Sequence, residues 1–161
     1  MKKRYVIIIG GILLLLGIVL YVRNLTIRND SGINYIEYSY GGGYGTIADT
    51  ATKTIKISGN GKVVFSNSYN NSVQKFRISQ ETYNDLCQYI EENSSIFIIK
   101  PHENNNVLDA GSADITIRYD DGAEYTVGGY AISNQKFSDM EEHIIDAVGR
   151  ERFYEYVDSI E

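Results

Sequence analysis

Hydrophobic and polar residues alternate along two stretches that follow residue 32. In residues 33–40, Ile36, Tyr38 and Tyr40 share one side, and the positions between them share the other. Residues 50–58 alternate in the same way and are rich in β-branched side chains. A period of two is typical of a strand with one buried face, so both stretches are predicted to be strands.

Turn residues predict how further strands follow. Asn60-Gly61 after the second stretch is a hairpin sequence, because both central residues of a type I′ turn need positive φ. The returning strand is expected at 62–69, and another strand at 73–78. A second hairpin is predicted where Asp120-Asp121-Gly122 separates 113–119 from 123–128.

Two later regions have the spacing of helices. Residues 80–92 carry an apolar stripe behind Ser79, a predicted N-cap; the stripe consists of Tyr83, Leu86, Cys87 and Ile90. Ser138 and Glu141 form a capping box that predicts a helix start there, with an end at Gly149. Helical spacing resumes at Phe153 and continues to the end of the chain. The order of elements predicts an α+β domain, an antiparallel sheet of about six strands with two or three helices on one face.

The N-terminal segment has a different pattern. Residues 5–22 contain no charged residue, and a helix of that length spans roughly 27 Å, close to the hydrocarbon thickness of a bilayer. Lys2, Lys3 and Arg4 place the N-terminus in the cytoplasm. We therefore predict a cytoplasmic flank at 1–4, a transmembrane signal anchor at 5–22, a tether at 23–32 and an extracytoplasmic domain at 33–161. The alternative is a cleaved signal peptide, which is disfavoured because no pair of small residues follows the apolar run.

Charge changes the picture of possible partners. The first 23 residues carry four basic side chains and no acid, which leaves 11 basic and 21 acidic residues after them, a formal charge of −10. Phosphate neutralisation needs clustered Lys and Arg, so nucleic acid is excluded as a partner. The predicted localisation is the cell membrane, with a single pass.

Few residues could support catalysis or bind a metal. The chain has two His, His102 and His143, and one Cys, Cys87, and none of them has metal-ligand spacing. Cys87 falls on the apolar stripe of its helix, where burial makes a thiol inert. His143 lies among acidic residues on a polar helix surface. Five carboxylates between Asp109 and Glu124 lack the EF-hand spacing and indicate a solvated surface rather than calcium binding. We predict a protein that is not an enzyme and that has no metal or cofactor.

The remaining candidate site is a glycine-rich segment after the first predicted strand. It lacks the GxGxxG context of a phosphate loop. Glycine helps only where positive φ or close backbone approach is needed, so the segment is either a flexible connection or a loop that meets a partner. The candidate binding residues are Tyr40, Gly41, Gly42, Gly43, Tyr44 and Gly45.

Several short motifs resemble the emfourin family, small protein inhibitors of thermolysin-like metalloproteases with a fold reminiscent of cystatins. The likeness covers residues 33–150 and rests on Tyr40-Gly41-Gly42-Gly43, Gly59-Asn60-Gly61-Lys62, Ile78-Ser79-Gln80-Glu81-Thr82-Tyr83, Leu86 and Asp120-Asp121-Gly122. The resemblance implies an inhibitor of a secreted or surface metalloprotease, with residues 40–46 facing the protease cleft. The predicted membrane anchor and the residues after Gly149 depart from the family. The alternative is a cell-envelope module that binds a peptide or glycan through its tyrosines.

Overall fold

The computed structural model describes residues 32–42, 51–98 and 111–158. The predicted flank at 1–4, the predicted transmembrane segment at 5–22 and all but the last residue of the predicted tether lie outside these ranges. Within them, no helix is both long enough and apolar enough to cross a membrane.

Six strands form one antiparallel sheet, which confirms the predicted α+β class. The strands are β1 (Ile33–Gly41), β2 (Lys53–Ser58), β3 (Lys62–Asn67), β4 (Val73–Arg77), β5 (Ser112–Tyr119) and β6 (Glu124–Tyr130). Their order across the sheet is β4-β3-β2-β1-β5-β6. Strand β1 is therefore interior, with β2 on one side and β5 on the other.

The predicted hairpin at Asn60-Gly61 is present, but its predicted turn type is wrong. The Gly61 N–H donates to the Ser58 carbonyl at 2.8 Å, so Gly59 and Asn60 are the central residues. Gly61 has φ +74°, whereas Asn60 is not among the described residues with positive φ. The hairpin is therefore a turn followed by a glycine in the left-handed conformation. The Asn60 side chain stabilises the turn by accepting a hydrogen bond from the Lys62 N–H.

The second hairpin repeats this arrangement. The Gly122 N–H donates to the Tyr119 carbonyl at 3.0 Å, and Gly122 has φ +89°. The Asp121 carboxylate accepts from the Ala123 N–H at 2.9 Å, as Asn60 does from Lys62. Each hairpin thus uses one Asn or Asp side chain to fix its turn and one glycine to return the chain.

Helix α1 (Gln80–Glu92) has the predicted bounds and the predicted N-cap. The Thr82 N–H donates to the Ser79 hydroxyl at 3.0 Å. The four residues of the predicted apolar stripe are all buried. A short 3₁₀ helix, Ser94–Phe97, follows.

Helix α2 (Gln135–Val148) begins earlier than predicted, so the capping box at Ser138 is wrong. Its N-cap is Asn134, whose side chain accepts from the Phe137 N–H. Ser138 lies inside the first turn, where its N–H donates to the Asn134 carbonyl at 3.1 Å. The predicted end at Gly149 is confirmed, and α3 (Arg150–Asp158) follows it.

One hydrophobic core joins the sheet to the helices. The inward residues of β1, β2, β3 and β5 belong to the same cluster as the buried residues of α1, α2 and α3. The opposite face of the sheet carries charged and hydroxyl side chains, including the Lys56–Glu37 ion pair at 3.3 Å. An antiparallel sheet can leave such a polar face in water.

Candidate functional site

A cavity of about 360 Å³ lies where the end of β1 meets the first half of α2. The sides of the cavity are formed by Lys53 at the start of β2, by residues 111–113 at the start of β5, and by residues 131–132 just after β6. Its lining residues are Tyr38, Tyr40, Gly41, Gly42, Lys53, Gly111, Ser112, Ala113, Ala131, Ile132, Phe137, Ser138 and Glu141.

Tyr38 and Glu141 connect the floor of this cavity to helix α2. The Tyr38 hydroxyl donates a hydrogen bond to Glu141 Oε1, and the Tyr38 side chain is only 2% exposed. Burial raises the pKa of Tyr38 above its ordinary range, and the hydrogen bond to the carboxylate raises it further. Tyr38 therefore stays a neutral donor to the Glu141 carboxylate, and Glu141 itself lines the cavity.

Tyr40 occupies the next inward position on β1 and has no comparable partner. Its ring stacks on Tyr38 with centroids 5.3 Å apart, and it also packs against Phe153. The Tyr40 hydroxyl is buried and has no hydrogen-bond partner among the described residues. Burial is the main cause that raises the pKa of Tyr40. An unsatisfied buried hydroxyl costs free energy, so this atom is set up to accept or donate to something else.

Close backbone approach explains the glycines beside Tyr40. A Cβ on Gly41 would stand 2.5 Å from the Ala51 carbonyl oxygen, and Gly42 has φ +81°. The Ser112 hydroxyl donates to the Gly41 carbonyl at 3.1 Å. Close packing thus accounts for Gly41 and a left-handed backbone for Gly42, so neither glycine has to be explained by flexibility.

Lys53 supplies positive charge to the same place. It is the Cα partner of Tyr40 across the β1–β2 ladder, and its Nζ lies 5.7 Å from the Tyr40 ring centroid. The cavity therefore combines a carboxylate, an ammonium group and a phenol that has no hydrogen-bond partner in the described part of the chain. Such a set can hold a polar group of a partner that both accepts and donates hydrogen bonds.

The structure describes half of the predicted binding segment. Tyr40, Gly41 and Gly42 line the cavity, while Gly43, Tyr44 and Gly45 lie outside the described residues. Sequence reasoning missed Lys53 and Glu141 as site residues. The alternation that places Tyr38 beside Tyr40 was visible, but the contact to Glu141 joins residues 103 positions apart and has no local pattern.

The other residues considered for chemistry lie elsewhere. Cys87 is 1% exposed, which confirms its predicted place in the core. His143 is exposed, stacks on Tyr89 with ring centroids 3.5 Å apart, and its Nδ1 is 2.8 Å from the Asp139 carbonyl. His102 and Asp109 lie outside the described residues. Within those ranges, no three His, Cys, Asp or Glu side chains are grouped so that they could hold a metal ion.

Together these features define a small α+β domain. Helices cover one face of its antiparallel sheet, and a cavity lies at the end of strand β1. The chain belongs to the DUF6438 family, a domain of unknown function, whose family model matches residues 34–148. The matched range includes the six strands except Ile33, the first residue of β1, and ends with the last residue of α2. No curated protein matches the chain.

Proposed function

We propose that this chain is a non-enzymatic binding domain, anchored in the cell membrane by residues 5–22 and facing the outside. Its partner is a protein, contacted through the segment Tyr40–Gly45 and the adjoining cavity. The observation that carries this proposal is the buried Tyr40 hydroxyl, which has no hydrogen-bond partner among the described residues and lies on the strand that runs into Gly41 and Gly42.

The chemistry of the cavity supports a partner group with a hydrogen-bond acceptor. A carbonyl or carboxylate oxygen inserted beside Tyr40 would lie near the Lys53 ammonium, and it would accept from the Tyr40 hydroxyl once insertion exposes this buried group. Glu141 would accept from an N–H of the same group. A backbone amide offers both an acceptor and a donor, so an extended peptide segment of the partner fits.

Two buried side chains, Cys87 and Tyr38, support the proposal that the domain is not an enzyme. The Cys87 thiol is in the core, where it cannot reach a substrate. The raised pKa of Tyr38 keeps it protonated at neutral pH, so it serves as a donor and not as a base.

For the identity of the partner we propose a secreted or surface metalloprotease, on the strength of the resemblance of residues 33–150 to the emfourin family. An inhibitor places an exposed backbone segment against the enzyme, and the exposed Gly42 is suited to such close approach, whereas Gly41 is packed against the Ala51 carbonyl. The alternative of a peptide- or glycan-binding envelope module is supported by exposed tyrosines, such as Tyr69 and Tyr125, which are 53% and 51% exposed.

The test uses the full chain in detergent micelles, with thermolysin as the probe. We expect the chain to lower thermolysin turnover, and Gly42→Lys to abolish this effect by filling the approach surface. Tyr40→Phe should weaken inhibition several-fold while it stabilises the fold by about 1 kcal/mol, because it removes an unsatisfied buried hydroxyl. Tyr69→Phe is the matched control, since it removes an exposed hydroxyl that does not line the cavity.

Two results would contradict this proposal in different ways. If thermolysin and other metalloproteases are unaffected but the chain is retained on cell-wall material by a mechanism insensitive to Gly42→Lys, the envelope module is correct. If Tyr40→Phe and Tyr69→Phe behave alike in both assays, the cavity has no role in binding.

A further inference from the structure

Strand β4 forms one edge of the sheet and has only one neighbour. Among the described residues it pairs with β3 alone, in a continuous antiparallel register from Lys62↔Arg77 to Ser66↔Val73. Four of its five residues are exposed, and Val73 is 52% exposed. It contains neither proline nor a bulge, which are common ways to blunt an edge strand.

Hydrogen bonds at both ends of the β3–β4 ladder show which backbone groups of β4 face outward. The Ile78 N–H donates to the Gly61 carbonyl, and the Asn67 N–H donates to the Ser72 carbonyl. Because such bonds alternate along an antiparallel pair, the even-numbered residues of β4 face β3. The N–H and C=O groups of Val73, Lys75 and Arg77 therefore point away from the sheet.

The side chains of these same three residues make the edge basic. Val73, Lys75 and Arg77 alternate onto the polar face of the sheet, and Lys62 is the cross-strand partner of Arg77. Among the described residues, no acidic side chain forms an ion pair with Lys62, Lys75 or Arg77. Arg77 Nη1 donates a hydrogen bond to the Asn60 carbonyl at 3.0 Å. This cluster stands out in a domain whose formal charge is −10.

Charge decides what could pair with this edge. Pairing of β4 with β4 of a second copy, centred on Lys75, would place Lys75 opposite Lys75, and like charges directly opposite destabilise a sheet. An acidic strand would place carboxylates opposite Lys75 and Arg77. The same lysine that protects the edge from self-association thus selects an acidic partner.

We propose that β4 accepts an extended acidic segment of another protein as an added antiparallel strand. The segment has an acidic residue opposite Arg77, a second opposite Lys75 and an apolar residue opposite Val73, with one residue between each pair. The backbone supplies ladder hydrogen bonds, and the alternating side chains supply specificity. This surface is separate from the cavity at the end of β1, and the inference does not depend on the function proposed for that cavity.

The experiment measures binding of a fluorescent seven-residue peptide to the full chain in detergent micelles by anisotropy. The peptide has glutamate at its second and fourth positions, valine at its sixth and threonine elsewhere. The control peptide has the same composition with one glutamate moved by one position, so that the two carboxylates face opposite sides of the sheet. We expect the alternating peptide to bind and the control to bind at least about fivefold more weakly.

Variants separate the backbone and charge contributions. Lys75→Glu should weaken binding about fivefold, whereas Lys136→Glu, the same charge change on an exposed residue of α2, should leave it unchanged. Val73→Pro removes an outward N–H without touching the β3 ladder and should also weaken binding. If that variant fails to fold, peptides methylated on the glutamate amides remove the ladder bonds to the Lys75 and Arg77 carbonyls instead, with methylated threonine amides as the control.

Three outcomes would overturn the proposal. Equal binding of both peptides would show that the strand register is irrelevant, and equal loss in Lys75→Glu and Lys136→Glu would show attraction by net charge alone. Concentration-dependent dimerisation of the chain that Val73→Pro abolishes, without peptide binding, would make a second copy the occupant.

Discussion

Tyr38 and Tyr40 are two residues apart on the same face of β1, yet their hydroxyl groups have different environments. Tyr38 donates to Glu141, and Tyr40 has no partner among the described residues. The alternation of β1 predicts that both rings point inward, because it depends only on neighbouring positions. It cannot predict which hydroxyl finds a partner, since Glu141 comes from a helix more than a hundred residues later in the chain.

At this scale we predict that the domain loses stability in alkaline solution. Burial raises the pKa values of Tyr38, Tyr40 and Tyr83 in the folded protein, and the Tyr83 hydroxyl also donates to the Ile33 carbonyl at 2.9 Å. Above the ordinary tyrosine pKa of 10.0, the unfolded chain releases these protons and the folded chain retains them. Ionisation of these tyrosines should therefore leave the free energy of unfolding unchanged below about pH 10 and lower it as the pH rises further.

Urea denaturation between pH 8 and pH 11 measures this effect, and tyrosinate absorbance reports ionisation. The fall should be smaller in Tyr38→Phe, which has lost one of the three groups. An unfolding free energy that does not change between pH 9 and pH 11 would contradict the assignment of these phenols as protonated and buried.

Among the elements, local signals predicted some boundaries and misplaced others. The bounds of α1 follow from Ser79 and a stripe that begins within one turn of it, so one local signal agrees with the next. For α2, Asn134 and Ser138 are both residues that favour N-caps, and sequence alone does not rank them. The structure ranks them because Phe137, between the two, is buried in the core and must be inside the helix.

The corrected start of α2 gives a prediction for this element. Asn134→Ala should destabilise the domain by about 1 kcal/mol, because the Phe137 N–H loses its acceptor. Ser138→Ala should change stability by less than about 0.5 kcal/mol, because alanine is the best helix former within a first turn. Urea denaturation of the two variants compares them directly, and a larger effect at Ser138 would restore the capping-box interpretation.

Strand order is the part of the fold that local patterns do not contain. The two hairpins follow from their Asn, Asp and Gly residues, so the neighbours β2–β3 and β5–β6 could be predicted. The pairing of β1 with β5 depends on residues such as Ile36 and Ile117, which are each apolar β-branched residues with many possible partners. The cavity lies beside this long-range pairing of β1 with β5. Two of its lining residues, Lys53 on β2 and Glu141 on α2, have no local pattern that identifies them as site residues.

For the molecule as a whole, the charge distribution predicts the orientation of the proposed membrane anchor. Lys2, Lys3 and Arg4 on the N-terminal side of the predicted membrane segment favour a cytoplasmic N-terminus. A phosphatase that is active only outside the cytoplasm, fused after Glu161, should therefore be active. Replacing Lys2, Lys3 and Arg4 with glutamine should reduce this activity, and activity of a cytoplasm-specific reporter at the same position would contradict the topology.

The interior place of β1 has a consequence for how the chain acquires its fold. Ile36 pairs with Ile57 on β2, which follows soon after it, and with Ile117 on β5, which is made much later. A chain that has been synthesised only as far as β4 cannot yet pair the second side of β1. Until β5 arrives, that side stays open to other strands, so the interval between these two pairings is when the nascent domain is most exposed to aggregation.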